Sequence, residues 1–550
     1  MDVSNLRGRR ATDRWNRVSM GDLFERVRSA DPERIVLTAW DGAFESESRR
    51  HVRAAQADDL ANRYAQALIA QRIEPGSVVM MICENSAEAL LAKIGMAKAA
   101  VTVAPVNPNL GDDIIEALVA LCKPAALVAD SELMEKARRI ARSTGRPLLH
   151  QIAIGGREAD LPDFEGFIAG QPGTEPDIAI HGDDIWQLLF TSGSTAIPKA
   201  VMVSHINTMF AAMSFTGMGM VGVPFESEFR MGSFLPIIYH VGDSIMYNAV
   251  MAGGRLVLGR RFNARQSAEA IDREKITCLW GGAPHAIDAV CTEFEKDPSL
   301  RATSVRAVVF GWAPMSPALH EKTRRVLGEQ SRCVEIIGQT EVVCCHRLWL
   351  DQHLALHRRT APKENYVGLP HGLLSSKIMD AEDRAIEAGD ARVGEGTYRS
   401  PALMAGYYRK PEDTAQAFRG GWFHGGDAFR WGEDHQRILA DRFKDIIKTG
   451  GESVTTIRVE AVINLHPDVQ KTAVVGLPHP RWGEAVTAFV IVKPGSSPAP
   501  EALIAFARER LSNFEVPKKV VLVSALPETV GGKVQKHVLR QQHGALYEGV

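Results

Sequence analysis

Hydrophobic and polar positions along the chain follow two interleaved rhythms. Residues 77–83 form a short apolar, β-branched run, which predicts a buried strand. Apolar positions then recur at helical spacing over residues 86–100. Residues 101–106 are apolar again and stop at Asn107-Pro108-Asn109. The same β-α-β rhythm continues for most of the length and predicts mostly parallel sheets covered by helices. Near residue 440 the pattern changes. Residues 431–436 are polar and read as a loop, and a charged turn, Asp441-Arg442-Phe443-Lys444-Asp445, follows. The last 110 residues carry a smaller α+β pattern, with a helix over 459–465 and strands over 472–475 and 486–492. The expected division is a flexible extension over residues 1–20, a large domain over 21–440 and a small domain over 441–550.

Length agrees with this division, since 550 residues exceed what one core organises. A net charge of −2 provides no global field to recruit nucleic acid or an acidic membrane. No stretch reaches the roughly 18 apolar residues of a membrane span. Arg7, Arg9, Arg10, Arg14 and Arg17 stand at the start with no apolar run behind them, which is not a secretory signal. Seven cysteines without a C-x-x-C fit a reducing cytoplasm, and adjacent Cys344 and Cys345 read as buried small hydrophobes. Gly217-Met218-Gly219-Met220-Val221-Gly222 matches a dinucleotide fingerprint in letters alone. It follows a helical stretch at 207–215 rather than a strand, so it reads as a loop.

The strongest chemical signal is the run from Leu188 to Val201. An apolar strand leads into Thr191-Ser192-Gly193-Ser194-Thr195, and Pro198-Lys199 follows. Small residues admit backbone N–H groups to phosphate oxygens, hydroxyls add donors, and a lysine adds charge. The Walker pattern is absent, so this is another type of nucleotide loop. Further segments are Gly338-Gln339-Thr340-Glu341 after the apolar 334–337, and Gly421-Trp422-Phe423-His424-Gly425-Gly426-Asp427, read as a Gly-rich turn ending in a carboxylate. Residues 441–453 contain Gly450-Gly451, and residues 526–533 end at Lys533.

In this order the segments resemble the core motifs of the adenylate-forming superfamily, which contains acyl-CoA synthetases, luciferases and nonribosomal adenylation domains. The resemblance runs from about Leu60 to Arg540. It implies an acyl-CoA synthetase-like α/β fold, with a large N-terminal domain of layered mixed sheets and helices and a small mobile α+β C-terminal domain. It implies a carboxylate attacking the α-phosphate of Mg-ATP, then a thiol displacing AMP from the acyl-adenylate. By resemblance, residues Thr191 to Lys199 cradle the outer phosphates. Gly338 and Gln339 lie at the nucleotide, Thr340 contacts the α-phosphate, and Glu341 holds Mg²⁺. Asp427 takes the ribose hydroxyls beside Arg442, Lys444 is the hinge, and Lys533 bridges carboxylate and α-phosphate. Gly450 and Gly451 line the pantetheine tunnel, with Lys448, Trp482, Phe514 and Lys518 at CoA. The acceptor implied is CoA; the alternative is a stand-alone adenylation enzyme that loads a carrier-protein thiol. Oligomeric state stays open, a dimer included.

The departures from the family pattern cluster. Ala196 and Ala200 replace the usual phosphate-loop glycines, where a methyl costs on the order of 1 kcal/mol if φ is positive. Ile337 replaces an aromatic, Gly425 a Thr and Ser453 an Asn. Gly311-Trp312-Ala313-Pro314 carries a Trp where Gly is usual, and Tyr239-His240 is shifted by one place. Tyr239, His240, Val241, Gly311, Trp312 and Ile337 are expected at the acyl pocket, which suits a compact or rigid acid. Two readings follow. Either the pocket is reshaped and adenylation survives, or the enzyme takes a preformed acyl-AMP from a partner adenylating enzyme and makes only the thioester. The second pattern resembles non-adenylating acyl-CoA ligases of diterpenoid-antibiotic pathways.

Overall fold

The computed structural model describes residues 17–191, 198–215, 228–361, 364–450, 452–528 and 534–548, with the side chains of Lys444 and Ser453 left aside. They fall into two compact units. The first takes the residues up to Gln352 with Pro370–Ser375 and Arg399–Ala417; the second takes His353–Leu369, Ser376–Tyr398 and the chain from Phe418.

Two sheets build the first unit. One runs Gly406–Tyr407, Lys199–Ser204, Ile185–Thr191, Thr102–Pro105, Val78–Ile82, Ala126–Asp130, Leu148–Ile152. The other runs His346–Trp349, Arg332–Ile337, Ala307–Phe310, Cys278–Gly282, Arg230–Ser233, Arg255–Leu258, Ile35–Ala39, His51–Arg53, parallel except at its two ends. The predicted helix after the first apolar run is Ala87–Lys98, capped by Ser86 accepting the Ala89 N–H. All of its residues are buried. A helix covered on every side must pair its charges. Lys93 Nζ accordingly lies 2.8 Å from Asp243, and Lys98 Nζ 2.8 Å from Glu25. The first of these pairs pins the helix His240–Met251, whose start carries two candidate site residues.

In the second unit, five strands pair in the order Ser375–Met379, Gly394–Arg399, Phe423–Trp431, Arg437–Arg442, Asn365–Pro370. A separate sheet follows, with Glu452–Val454, Ile447–Thr449, Gly483–Val492 and Val469–His479 in order, and Lys519–Leu522 parallel to Gly483–Val492. The change of sheet comes between Arg442 and Ile447, close to the boundary expected near 440. That boundary nevertheless lies inside the second unit, because residues 353–369 and 376–398 join it. Such long-range pairing leaves no mark in local composition.

Two expectations are corrected. The Gly-rich turn at 421–427 is mostly strand: Phe423–Trp431 pairs on both edges. Its glycines serve a bulge, with Gly426 at φ +72° inside the register shift between His424 and Ala428. Residues 1–16 of the expected extension lie outside the described residues, and residues 17–20 are packed onto the fold: Arg17 pairs with Asp22 at 2.8 Å and Met20 is buried. All seven cysteines are buried and free. Among the described residues no helix is long and apolar enough to cross a membrane.

Candidate active site

The strand Ile185–Thr191 pairs antiparallel with Lys199–Ser204, and the register sets Thr191 opposite Lys199. The two ends of the expected phosphate loop therefore meet. Ser192, Gly193, Ser194, Thr195 and Ala196 lie outside the described residues, as does the 217–222 fingerprint. Ala200 sits in a strand opposite Phe190 and has no positive φ, so its methyl carries no backbone penalty. Lys199 Nζ lies 3.0 Å from Asp413 Oδ2 and 4.5 Å above the Tyr407 ring.

After the strand Arg332–Ile337 the chain turns tightly, with Gln339 and Val342 exchanging backbone hydrogen bonds of 3.0 and 3.2 Å. A Cβ on Gly338 would stand 2.6 Å from the Cys344 nitrogen, so only glycine fits there. The Met404 N–H donates to the Glu341 carbonyl and the Tyr407 hydroxyl to Glu341 Oε1, both at 2.9 Å. His240 Nδ1–H donates to the Thr340 carbonyl at 2.9 Å. Burial lowers the His240 pKa to about 4, so the ring is neutral near pH 7. Since a carbonyl only accepts, Nδ1 carries the proton. Nε2 is then an acceptor, buried and without a partner among the described residues.

Beside these stands Trp312. It is 58% exposed, unlike most large apolar side chains of the unit, and its backbone sits at φ +65°. That left-handed conformation costs an L-residue about 1–2 kcal/mol. Its indole meets Tyr239 and Trp280 edge to face, at 6.0 and 5.9 Å. Gly311 is required by sterics, since a Cβ there would lie 2.6 Å from the Ile336 oxygen. Tyr239 precedes the helix His240–Met251, and Tyr239, Val241 and Ile337 are half-buried.

In the second unit Asp427 and Arg442 are register partners, with Arg442 Nε 2.9 Å from Asp427 Oδ1. Glu395 organises the bulge before them. It accepts from Gly426 N–H at 3.0 Å, from His424 Nδ1–H at 2.8 Å and from Arg419 at 2.9 Å. Gly450 has φ +58°, and a Cβ on it would come 3.3 Å from the Trp482 ring. Its N–H donates to the Trp482 carbonyl at 2.8 Å. Arg481 lies 4.5 Å and Lys518 Nζ 5.6 Å above the Trp482 ring. Partial burial, helped by the Arg508 charge, lowers the Lys518 pKa. The Lys448 N–H donates to Glu484 at 2.7 Å, and Phe514 is 38% exposed. Gly451, Lys533 and the Lys444 side chain lie outside the described residues.

Glu341 offers a hard carboxylate oxygen, which suits a Mg²⁺ carried on nucleotide phosphates. The three carboxylates of Asp22, Glu25 and Glu175 lie close enough to share a cation. Arg17 and Lys98 already neutralise them at 2.8–3.0 Å. Sequence reasoning missed Tyr407, Asp413 and Glu395. Nothing local marks them, because each acts on a partner dozens of residues away.

Comparison with known proteins shows the family. The AMP-binding enzyme family matches residues 24–408, and the AMP-binding enzyme C-terminal domain matches residues 458–533. A feruloyl-CoA synthase from an Amycolatopsis species is 28% identical over 484 residues, 88% of this chain and 92% of that protein. A fatty acid–[acyl-carrier-protein] ligase from Streptomyces coeruleorubidus is 29% identical over 501 residues, 88% and 90% of the two chains. Among solved structures, an amide bond synthetase from Marinactinospora thermotolerans superposes with a TM-score of 0.79 at 28% identity, covering 95% of this chain and 99% of that one. The chain belongs to the AMP-binding enzyme family, the adenylate-forming ligases that include the acyl-CoA synthetases.

Proposed function

We propose that the chain makes an acyl-CoA thioester from the adenylate of a compact or rigid acid, with free CoA as acceptor, and that its ATP-dependent half-reaction is the weaker one. The observation that carries this is Trp312. An exposed indole held at φ +65° against Tyr239 and Trp280 fills space where a glycine is usual. Conformational strain of this kind collects at functional sites. A flat aromatic wall suits a ring-bearing acid and narrows the room for ATP. Arg481 and Lys518 around Trp482, with Gly450 beneath, support CoA over a carrier protein, since cations flanking an aromatic ring suit a phosphorylated nucleotide.

In the retained step the CoA sulfur attacks the acyl carbon, the bond from that carbon to the AMP oxygen breaks, and the thiol proton leaves to solvent. The products are acyl-CoA and AMP. Thr340 holds the α-phosphate, and its carbonyl is fixed by His240. Asp427 and Arg442 hold the ribose. Thr191, Ser192, Gly193, Ser194, Thr195 and Lys199 serve the outer phosphates when ATP binds, and Glu341 would hold Mg²⁺, which would supply charge neutralisation there. Lys533 serves adenylation and Lys444 the hinge, with the small domain starting near 440, inside the second unit.

The test compares acyl-CoA formed from acid, ATP and CoA with that formed from synthetic acyl-AMP and CoA. Faster product from the adenylate is expected. Equal rates refute the half-reaction reading, and product from a carrier protein but not from CoA refutes the acceptor.

A further inference from the structure

We propose that Tyr407 is a positioning residue of the metal–nucleotide half of this site: its hydroxyl fixes the Glu341 carboxylate and its ring seats Lys199, with Asp413 holding that lysine until phosphate displaces it. The inference rests on the roles proposed for Glu341 and Lys199. Residues 404–408 carry it. Ala405 N–H donates to the Met202 carbonyl at 2.9 Å and Tyr408 N–H to the Ala200 carbonyl at 2.8 Å, adding this segment to the edge of the strand that begins at Lys199. One residue earlier, Met404 N–H holds the Glu341 carbonyl at 2.9 Å. A single short stretch thus ties the backbone of the expected metal ligand to the strand of the expected phosphate lysine.

Tyr407 links their side chains as well. It is 9% exposed. Its hydroxyl donates to Glu341 Oε1 at 2.9 Å. Its ring face lies 4.5 Å below Lys199 Nζ. The tyrosine is itself fixed, since its N–H donates to Thr414 Oγ1 at 2.9 Å. Gly406 before it, at φ +141°, leaves room for Thr414, because a Cβ would come within 2.9 Å of that side chain. Asp413, on the same turn as Thr414, takes the lysine at 3.0 Å. Lys199 and Asp413 are 32% and 40% exposed, so the pair is weak and exchanges readily for a multiply charged phosphate. The unit therefore resembles a sprung cradle, with metal ligand and lysine at a set separation before nucleotide arrives.

Calorimetric titration of the full chain with ATP, once with Mg²⁺ and once with EDTA, tests this without reading turnover, so failure of the half-reaction reading leaves the test standing. In the natural protein Mg²⁺ is expected to tighten ATP binding. In Tyr407→Phe that metal-dependent gain shrinks about ten-fold, the scale at which partners of a metal ligand act. A purely structural defect would weaken both titrations alike. In Asp413→Asn, ATP binds up to about five-fold more tightly with and without metal, because Lys199 is released. The Asp413 arm keeps the proposal falsifiable if the Phe variant folds poorly. Three results overturn it: no gain from Mg²⁺ in the natural protein, an undiminished gain in Tyr407→Phe, or unchanged ATP affinity in Asp413→Asn.

Discussion

Replacing Trp312 by Gly and, separately, by Ala separates side-chain packing from backbone strain. Both variants lose the same contacts. With the residue 58% exposed, roughly 100 Å² of indole surface is covered, worth about 2.5 kcal/mol at 25 cal/mol/Å². The edge contacts to Tyr239 and Trp280 add about 1 kcal/mol. The variants differ in the backbone. At φ +65° an alanine keeps a penalty of about 1–2 kcal/mol that glycine escapes. Glycine's greater freedom in the unfolded chain returns only about 0.5–1 kcal/mol of that. Elsewhere alanine is the more stable of the two; here Trp312→Gly should exceed Trp312→Ala by about 0.5–1 kcal/mol. In urea unfolding followed by circular dichroism, that separates midpoints by a few tenths of a molar. Trp312→Gly should also gain ATP-dependent acyl-CoA formation. An Ala variant as stable as the Gly variant would refute the strain argument, and unchanged ATP turnover would refute the steric block.

Gly450→Ala should raise the KM for CoA several-fold, because φ +58° and a contact of 3.3 Å with Trp482 both resist a methyl; steady-state kinetics with varied CoA decides it. His240→Gln should flatten the acid limb of stability. The imidazole takes a proton at 6.5 when unfolded but only at about 4 when folded, so stability is full above pH 6.5 and falls by about 3 kcal/mol as pH drops to 4. Urea midpoints at pH 7 and pH 4.5 should lie closer together in the variant, and an equal drop contradicts the burial of His240. Lys536→Met should destabilise the second unit by about 3 kcal/mol, since Glu460 loses a cation 2.8 Å away inside a network with Thr456 and Asp441. Faster proteolysis of the C-terminal segment reports this, and natural resistance would count against it.

The sequence was legible where structure is local. Ser86 announces the helix Ala87–Lys98, and the apolar runs at 77–83 and 101–106 become the strands Val78–Ile82 and Thr102–Pro105. Asp427 and Arg442 were placed together by motif, and the paired strands bring them to 2.9 Å. What was hidden depends on pairing at a distance. The glycines 425 and 426 look like a turn until Gly394–Arg399 supplies the partner that makes them a bulged strand. Tyr407 carries no signal of its own, because its strand partner is some 200 residues away and its carboxylate partner 66. Trp312 stood out by identity alone; its positive φ is what explains why glycine is the usual residue there.

Trp312 also makes the site its own optical reporter. Among the described residues it is the exposed tryptophan, while Trp186 and Trp280 are buried and Trp482 is half-covered. Its emission should therefore lie at the red edge of the protein's spectrum, and a ligand that dries its face should shift that component to the blue. With Trp280 only 5.9 Å away, energy passed from the buried indole will swell the same signal. With Trp312 at the proposed acyl site, its occupancy should be followed in the natural protein with no label attached, and candidate acids screened before any product is made.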